Sequence, residues 1–354
     1  MIETMLTYVN EEPEILKRIL EEFDESNILN NLPKQVEHVL ILATGSSLNA
    51  ALAAKYYMES TAAINVTIEE PFNYEHYGTF DKKIDLILAI SQSGKSTSTI
   101  NVLNKVIKRK VPIMALTNDL ETPLVELSQV GIDLNVGEEK VGYVTKGYSG
   151  TILNLFLIAC TIGKNKGIID ESNLKERIKE LENTIKEIPE LINRSISYFN
   201  ENKDRFSSYS RFLCIGYGAN VGVAKEFETK FTETVRLPSS GCELEAYMHG
   251  PFLEANKEHA LLFLVDDSPI SSRAFHLRNY MNDYVGTTMT IVKNETVGQY
   301  DFSLQSNCTN NFIMPLLYVV LVQIWSYLTA EMSGIDLNID PFPDFDEKLN
   351  SKLI

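Results

Sequence analysis

Between Asn220 and Arg236, the residues Glu226, Lys230 and Glu233 follow one another at i, i+4 and i+7. On a helix that spacing puts all three on one stripe, beside an apolar stripe made by Val223, Ala224, Phe227 and Phe231. Two carboxylates and an amine at the edge of a buried face could share a pocket and move a proton. The same spacing also describes a solvated salt-bridge stripe, which is common on surface helices and contributes little. His249, in "YMHGP", is a second candidate for acid–base work, although a lone histidine is as readily a cap or a core-edge residue. A different chemistry is offered by Ser91, Gln92, Ser93, Gly94, Ser96 and Thr97, a hydroxyl-rich turn between an apolar run and a helical pattern. Free N–H groups and the positive dipole end of a helix, joined by small hydroxyls, suit a phosphate monoester; an ordinary Ser/Thr cap is the plainer alternative. "ATGSS" (Ala43 to Ser47) offers a second, weaker turn of this kind. No G-x-x-x-x-G-K-[ST] is present, so neither turn is a nucleotide P-loop. His38, His76, His259 and His276 have no companions at metal-ligand spacing, and Cys242 has no evident His or Asn partner, so no metal or cofactor is expected.

Elements must position these residues. His38 to Thr44 is a continuous apolar run ending at Gly45, as expected of a strand buried on both faces of a parallel sheet, with Ser46 or Ser47 capping a helix to about Met58. Val66 to Glu70 reads as a strand, Pro71 as part of a loop, and Asp85 to Ile90 as a strand leading into the hydroxyl turn and a helix marked by Ile100, Val102, Leu103 and Val106. Pro112 to Thr117, the short helix "TPLVELSQ", Gly131 to Val136 and a long apolar helix from Lys146 to about Ile162 continue the alternation. That pattern is a doubly wound open α/β sheet, whose ligands bind at the carboxyl edge of the strands. Ahead of it, Asn10 to Glu25 reads as an amphipathic helix with Pro13 in its first turn. Residues 163–205 are polar and helical with a break at Pro189, and mark the inter-domain segment. At Phe212 to Gly218 the pattern restarts: Gly218 lies 173 residues after Gly45 (218 − 45), and the same offset carries Ser91 to Leu264 at the end of "ALLFLV". Two copies of one βαβ-rich unit follow from this, and only the first keeps an anion-friendly turn, since the second reads "VDDSPIS". The expected organisation is a helical segment at 1–30, a phosphate-binding domain at 31–165, a helical linker at 166–205, a domain carrying Glu233 and His249 at 206–335, and a tail at 336–354.

The chain of 354 residues, 44% hydrophobic and 23% charged, is long enough for two domains with real cores. A net charge of −16 without a Lys/Arg cluster argues against nucleic-acid or anionic-membrane partners. Cys160, Cys214, Cys242 and Cys308 are scattered and form no C-x-x-C, which predicts reduced thiols and a cytoplasmic protein. Residues 1–14 have neither the basic nor the apolar region of a signal peptide, and Phe312 to Met332 reads as a buried core helix rather than a membrane span.

The "SQSG-x-[ST]" turn, the "ATGSS-x-N" turn and the "G-x-G…E-x3-K-x2-E…HGP" segment, in this order, resemble the tandem sugar-isomerase (SIS) domains of glucosamine-6-phosphate synthase. They are more similar still to the stand-alone fructosamine-6-phosphate deglycases. The resemblance covers essentially the whole chain and implies two SIS domains, each a mainly parallel five-stranded sheet flanked by helices. It places phosphate contacts on Ser47, Ser91, Gln92, Ser93 and Ser96, proton transfer on Glu233 with Glu226 and Lys230 beside it, and ring opening on His249, contributed across a homodimer interface. It further implies sugar-end contacts at Gly45, Val141 and Lys348. The departures are also informative. Ile2 follows Met1 where the synthase has its cysteine nucleophile, "VGYVTKGYS" only loosely echoes the synthase motif "GVASTKAFT", and Lys95 replaces an acidic residue. The expected function is therefore deglycation of a fructosamine 6-phosphate to an aldose 6-phosphate and a free amine. An aldose–ketose isomerase or amino-sugar-phosphate deaminase, and a non-catalytic phosphosugar sensor, are the alternatives.

Overall fold

The computed structural model describes residues 3–295 and 298–353. The chain divides into two compact units, one of residues 14–139, 146–179 and 340–354, the other of residues 1–13, 140–145 and 180–339. They are called here the N-terminal and C-terminal units.

Helix α1 (Met5–Glu22) begins earlier than the apolar spacing alone predicts, because Thr4 and Thr7 exchange side-chain and backbone hydrogen bonds at its start. Pro13 therefore sits inside the helix and not in its first turn. The short helix α2 (Glu25–Asn31) is capped by Asp24. Then come β1 (His38–Leu42), α3 (Gly45–Ala62), β2 (Asn65–Glu69), α4 (Pro71–Tyr77), β3 (Leu86–Ile90), α5 (Thr97–Val106), β4 (Ile113–Thr117), α6 (Pro123–Glu126), β5 (Val130–Asp133) and α7 (Lys146–Asn165). Pro71 opens α4 at its first turn, where its missing N–H costs nothing, so the expected loop is a helix. The strands form one parallel sheet in the order β2-β1-β3-β4-β5. Both faces are covered: Leu40, Leu42, Ile87, Ala89 and Ile113 share a cluster with Val102 and Leu103 of α5, while the alternate residues Val39, Ile41 and Leu86 are equally buried.

Helix α8 (Glu171–Glu201) runs 31 residues straight through Pro189, against the expected break. A proline costs an interior turn about 3 kcal/mol. Leu181, Ile185, Ile188, Ile192 and Phe199 are all buried along one face, at about 1.5–3 kcal/mol each, and outweigh that cost. In the C-terminal unit α9 (Asp204–Ser207), β6 (Arg211–Gly216), α10 (Asn220–Lys230), β7 (Ser239–Glu243), α11 (Leu244–Met248), β8 (His259–Val265), α12 (Ser271–Met281), β9 (Thr287–Val292) and β10 (Asp301–Ser303) follow. Their parallel sheet has the order β10-β9-β8-β6-β7, the same topology as the first. The repeat is faithful in register: β6 starts 173 residues after β1 (211 − 38) and β8 starts 173 after β3 (259 − 86). Gly45 and Gly218 both adopt φ +57°, a left-handed conformation that only glycine takes without strain, where each first strand hands over to its helix. Helix α13 (Pro315–Met332) is long and apolar enough to cross a membrane, but 83% of it is buried inside the protein, with Tyr318 and Trp325 fully enclosed. The chain ends with the short helix α14 (Phe345–Leu349).

Candidate active site

In each sheet the chain leaves the two central strands in opposite directions, which makes the crevice beyond β1 and β3, and its counterpart beyond β6 and β8, the topological switch point where open α/β sheets bind ligands. The two hydroxyl turns of the N-terminal unit lie at that edge: β1 and β3 are parallel neighbours, so Gly45 to Ser47 and Ser91 to Ser96 follow adjacent strand ends. Ser46 and Ser47 fall inside the first turn of α3, whose cap position is Thr44, so neither is the expected cap residue. Space opens in front of Gly45, where an added Cβ would meet nothing within 4 Å. Ser91 is buried at 7% exposure, Ser93 is exposed and accepts the Lys95 N–H at 3.3 Å, and the Ser96 hydroxyl accepts from Thr99 Oγ1 at 3.3 Å. Gln92 donates from Nε2 to Glu139 at 2.6 Å.

The tail crosses this turn. Thr97 donates its N–H to the Ser351 carbonyl (3.1 Å) and its hydroxyl to the Asn350 carbonyl (2.7 Å), while Leu353 N–H bonds the Lys95 carbonyl (2.9 Å). Lys348 is exposed on α14, and it is Lys352 that pairs with Ser96 in an antiparallel bridge. Val141 is buried at 8% exposure beside Met5 and Tyr8 and gives its N–H to the Tyr8 hydroxyl.

In the C-terminal unit the predicted stripe of Val223, Ala224, Phe227 and Phe231 is buried. The helix does not remain α-helical to Arg236. At Phe231 it widens into a π turn through Val235, closed by Arg236 N–H to the Phe231 carbonyl at 3.1 Å. The Thr234 hydroxyl donates to the Lys230 carbonyl at 2.7 Å, satisfying an acceptor near the change of winding. Single π turns of this kind are frequent at functional sites. Glu233 lies on it. Lys230 Nζ is 2.6 Å from Glu233 Oε2 and 3.6 Å from Glu226 Oε1, so the three predicted residues are together. The side chains of Lys230 and Glu226 are 0% exposed and that of Glu233 is 39% exposed. This is no solvated stripe, because taking an ammonium and a carboxylate out of water costs several kcal/mol per ion before their attraction offsets it. His249 ends α11 as its cap residue, with an exposed side chain.

At the second switch point the chain carries a carboxylate where the first copy has its hydroxyl turn, and an added Cβ at Gly218, as at Gly45, would meet nothing within 4 Å. Asp266, just beyond β8, accepts from the Tyr217 hydroxyl (2.7 Å), the Ser268 N–H (3.0 Å) and the Ser268 hydroxyl (2.5 Å). Burial first, and then this carboxylate, pushes the Tyr217 phenol up. These donors are engaged by a side-chain carboxylate of the chain. Among the described residues no group of three or more His, Cys, Asp or Glu is arranged to hold a metal ion.

Residues 34–159 match the SIS domain model. Across the curated proteins, the chain is 24% identical over 326 residues to the glutamine–fructose-6-phosphate aminotransferase (isomerizing) of Thermotoga maritima, covering 89% of this chain and 52% of that protein. The chain thus spans about half the length of that relative. A Clostridium difficile 630 chain, named as a candidate phosphosugar isomerase, superposes with a TM-score of 0.89 at 24% identity over 99% of both chains. The C-terminal domain of glucosamine-fructose-6-phosphate aminotransferase from Francisella tularensis superposes with a TM-score of 0.83 at 20% identity, over 94% of this chain and 96% of that one.

Proposed function

The chain carries a SIS domain over residues 34–159 and is homologous to the isomerizing aminotransferases, and from that premise we propose that it is a phosphosugar-processing enzyme that deglycates a fructosamine 6-phosphate. The observation that carries the reading is the Glu226-Lys230-Glu233 chain, buried at one end and open to solvent at Glu233. The hydroxyls of Ser47, Ser91, Ser93 and Ser96, with Gln92, take the 6-phosphate and supply positioning rather than chemistry. His249, given by a second copy of the chain as the family resemblance implies, helps to open the sugar ring. Glu233 removes a proton from C1 of the 1-amino-ketose and returns it to C2 through an enaminol, with Lys230 orienting the carboxylate. Water adds to the resulting C1 imine, and the adduct collapses to aldose 6-phosphate and free amine. The buried pair supports an enzyme over a phosphosugar sensor, since a sensor needs a cradle but no proton-moving group.

The second reading, an aldose–ketose isomerase or amino-sugar-phosphate deaminase using the same carboxylate, is favoured by the name of the T. maritima relative. Product analysis separates the two. Release of glucose 6-phosphate from fructoselysine or glucoselysine 6-phosphate, abolished in Glu233→Gln, is the expected result. Ammonia from glucosamine 6-phosphate with no release from either adduct would sink the deglycase reading in favour of the second.

A further inference from the structure

Glu139 lies in the loop between β5 and α7 and carries no helical or strand periodicity that would single it out. Three donors nevertheless converge on its carboxylate. Oε1 accepts the Lys146 N–H at 2.9 Å, and Oε2 accepts both the Gly147 N–H at 3.2 Å and the Gln92 side-chain amide at 2.6 Å. Lys146 and Gly147 are the first two residues of the 20-residue helix α7, so their N–H groups have no partner within the helix, and a carboxylate there is also favoured by the dipole.

Gln92 is thereby held at both ends. Its carbonyl accepts from Asn118 N–H at 3.0 Å and from the Thr117 hydroxyl at 3.3 Å, at the end of β4, while its amide is tied to Glu139. Acceptance by a carboxylate fixes which side of that amide presents N–H and which presents oxygen. Gly147 completes the arrangement, since a Cβ at that position would come within 2.6–2.7 Å of the Gln92 amide.

We propose that Glu139 is a positioning residue for the phosphate turn: it clamps Gln92 to the start of α7 and so presets the shape of Ser91 to Ser96 before an anion arrives. This rests on the reading of that turn as the phosphate site. A preset turn loses less freedom when the ligand binds, so loosening it lowers affinity without removing any group that touches the phosphate.

The test is inorganic phosphate affinity, measured by calorimetry on the full chain, for Glu139→Gln, Gln92→Ala, the double variant, Gly147→Ala and Ser93→Ala. In Glu139→Gln two amides face one another where an amide faced a carboxylate, and affinity is expected to fall about tenfold, the effect of about 1.4 kcal/mol. Because Glu139 acts through Gln92, the double variant should bind no more weakly than the weaker single variant. Gly147→Ala keeps the carboxylate and suits a helix, yet it displaces the Gln92 amide and should weaken phosphate binding to a similar degree, which keeps the test open even if Glu139→Gln fails to fold. Unchanged affinity in Gly147→Ala, or additive losses in the double variant, overturns the proposal. If Ser93→Ala also leaves affinity unchanged, the phosphate-turn reading itself falls; if Ser93→Ala weakens binding while the Glu139 and Gly147 variants do not, only the positioning role falls.

Discussion

Replacing Lys230 by methionine removes the ammonium from between two carboxylates while keeping most of the side-chain volume. At 3.6 Å, the attraction between Lys230 and Glu226 amounts to about 4–5 kcal/mol at an effective dielectric near 20, and desolvation takes back much of it. The loss measured in the variant is therefore not the net worth of the pair. It is the penalty of leaving the carboxylate of Glu226, 0% exposed, without its cation, about 3–5 kcal/mol. Glu233 is 39% exposed and regains water, so it adds little to the stability loss. Urea unfolding should show the unfolding free energy fall by that amount, with a correspondingly lower midpoint, and adding Glu226→Gln to Lys230→Met should restore most of it, because the buried charge is gone. Turnover should not return in the double variant, since Glu233 remains without the group that orients it. A loss below about 1 kcal/mol in Lys230→Met, or recovery of turnover in the double variant, would refute the reasoning.

Glu233→Gln should behave in the opposite way, lowering kcat by about 10²–10⁴ with the urea midpoint nearly unchanged, because the side chain is partly exposed and isosteric. Burial holds the His259 imidazole below its ordinary value of 6.5, with Asn256 Nδ2 3.0 Å from its Nε2. The unfolded chain thus binds more protons than the folded one below about 6.5. The stability owed to this residue is complete above that pH and is lost as the pH falls toward the lowered folded value; His259→Gln should flatten this part of a melting-temperature profile. Removing residues 340–354 deletes the bonds that Thr97 donates to the Ser351 and Asn350 carbonyls, so the turn should bind phosphate with changed affinity while the melting temperature moves little, the tail being exposed along most of its length. Calorimetric titration of the unaltered chain should give one phosphate per chain, because only the first copy carries the hydroxyl-rich turn; a stoichiometry of two would contradict that reading.

What could be read from the sequence, and what could not, divides by the range of the forces involved. The central strands β1, β3, β4, β6 and β8 were legible because a sheet buried on both faces demands unbroken apolar runs, and the 173-residue offset between Gly45 and Gly218 exposed the repeat. Pro13 and Pro189 were misleading for a physical reason: the proline rule measures a local cost, while the long apolar face of α8 is settled by packing. Glu139 and Asp266 leave no mark in the sequence because each acts from a loop and takes its meaning from donors distant in sequence, Gln92 for one and Tyr217 for the other. The π turn at Glu233 is equally silent in the sequence, since the closing bond from Arg236 to Phe231 and the Thr234 hydroxyl on the Lys230 carbonyl leave no periodic trace. Spacing could place Glu226, Lys230 and Glu233 on one stripe, but helical geometry is the same for a solvated stripe and a buried one. Burial decides between them, and it grades the three residues: Glu226 and Lys230 wholly enclosed, Glu233 opening to solvent at the point where the helix changes its winding. A stripe retained only for helix stability would gain from the reverse arrangement, with its charges in water and apolar side chains beneath. Enclosing Lys230 places its ammonium 2.6 Å from Glu233 Oε2, a contact that restrains the exposed carboxylate from the buried side.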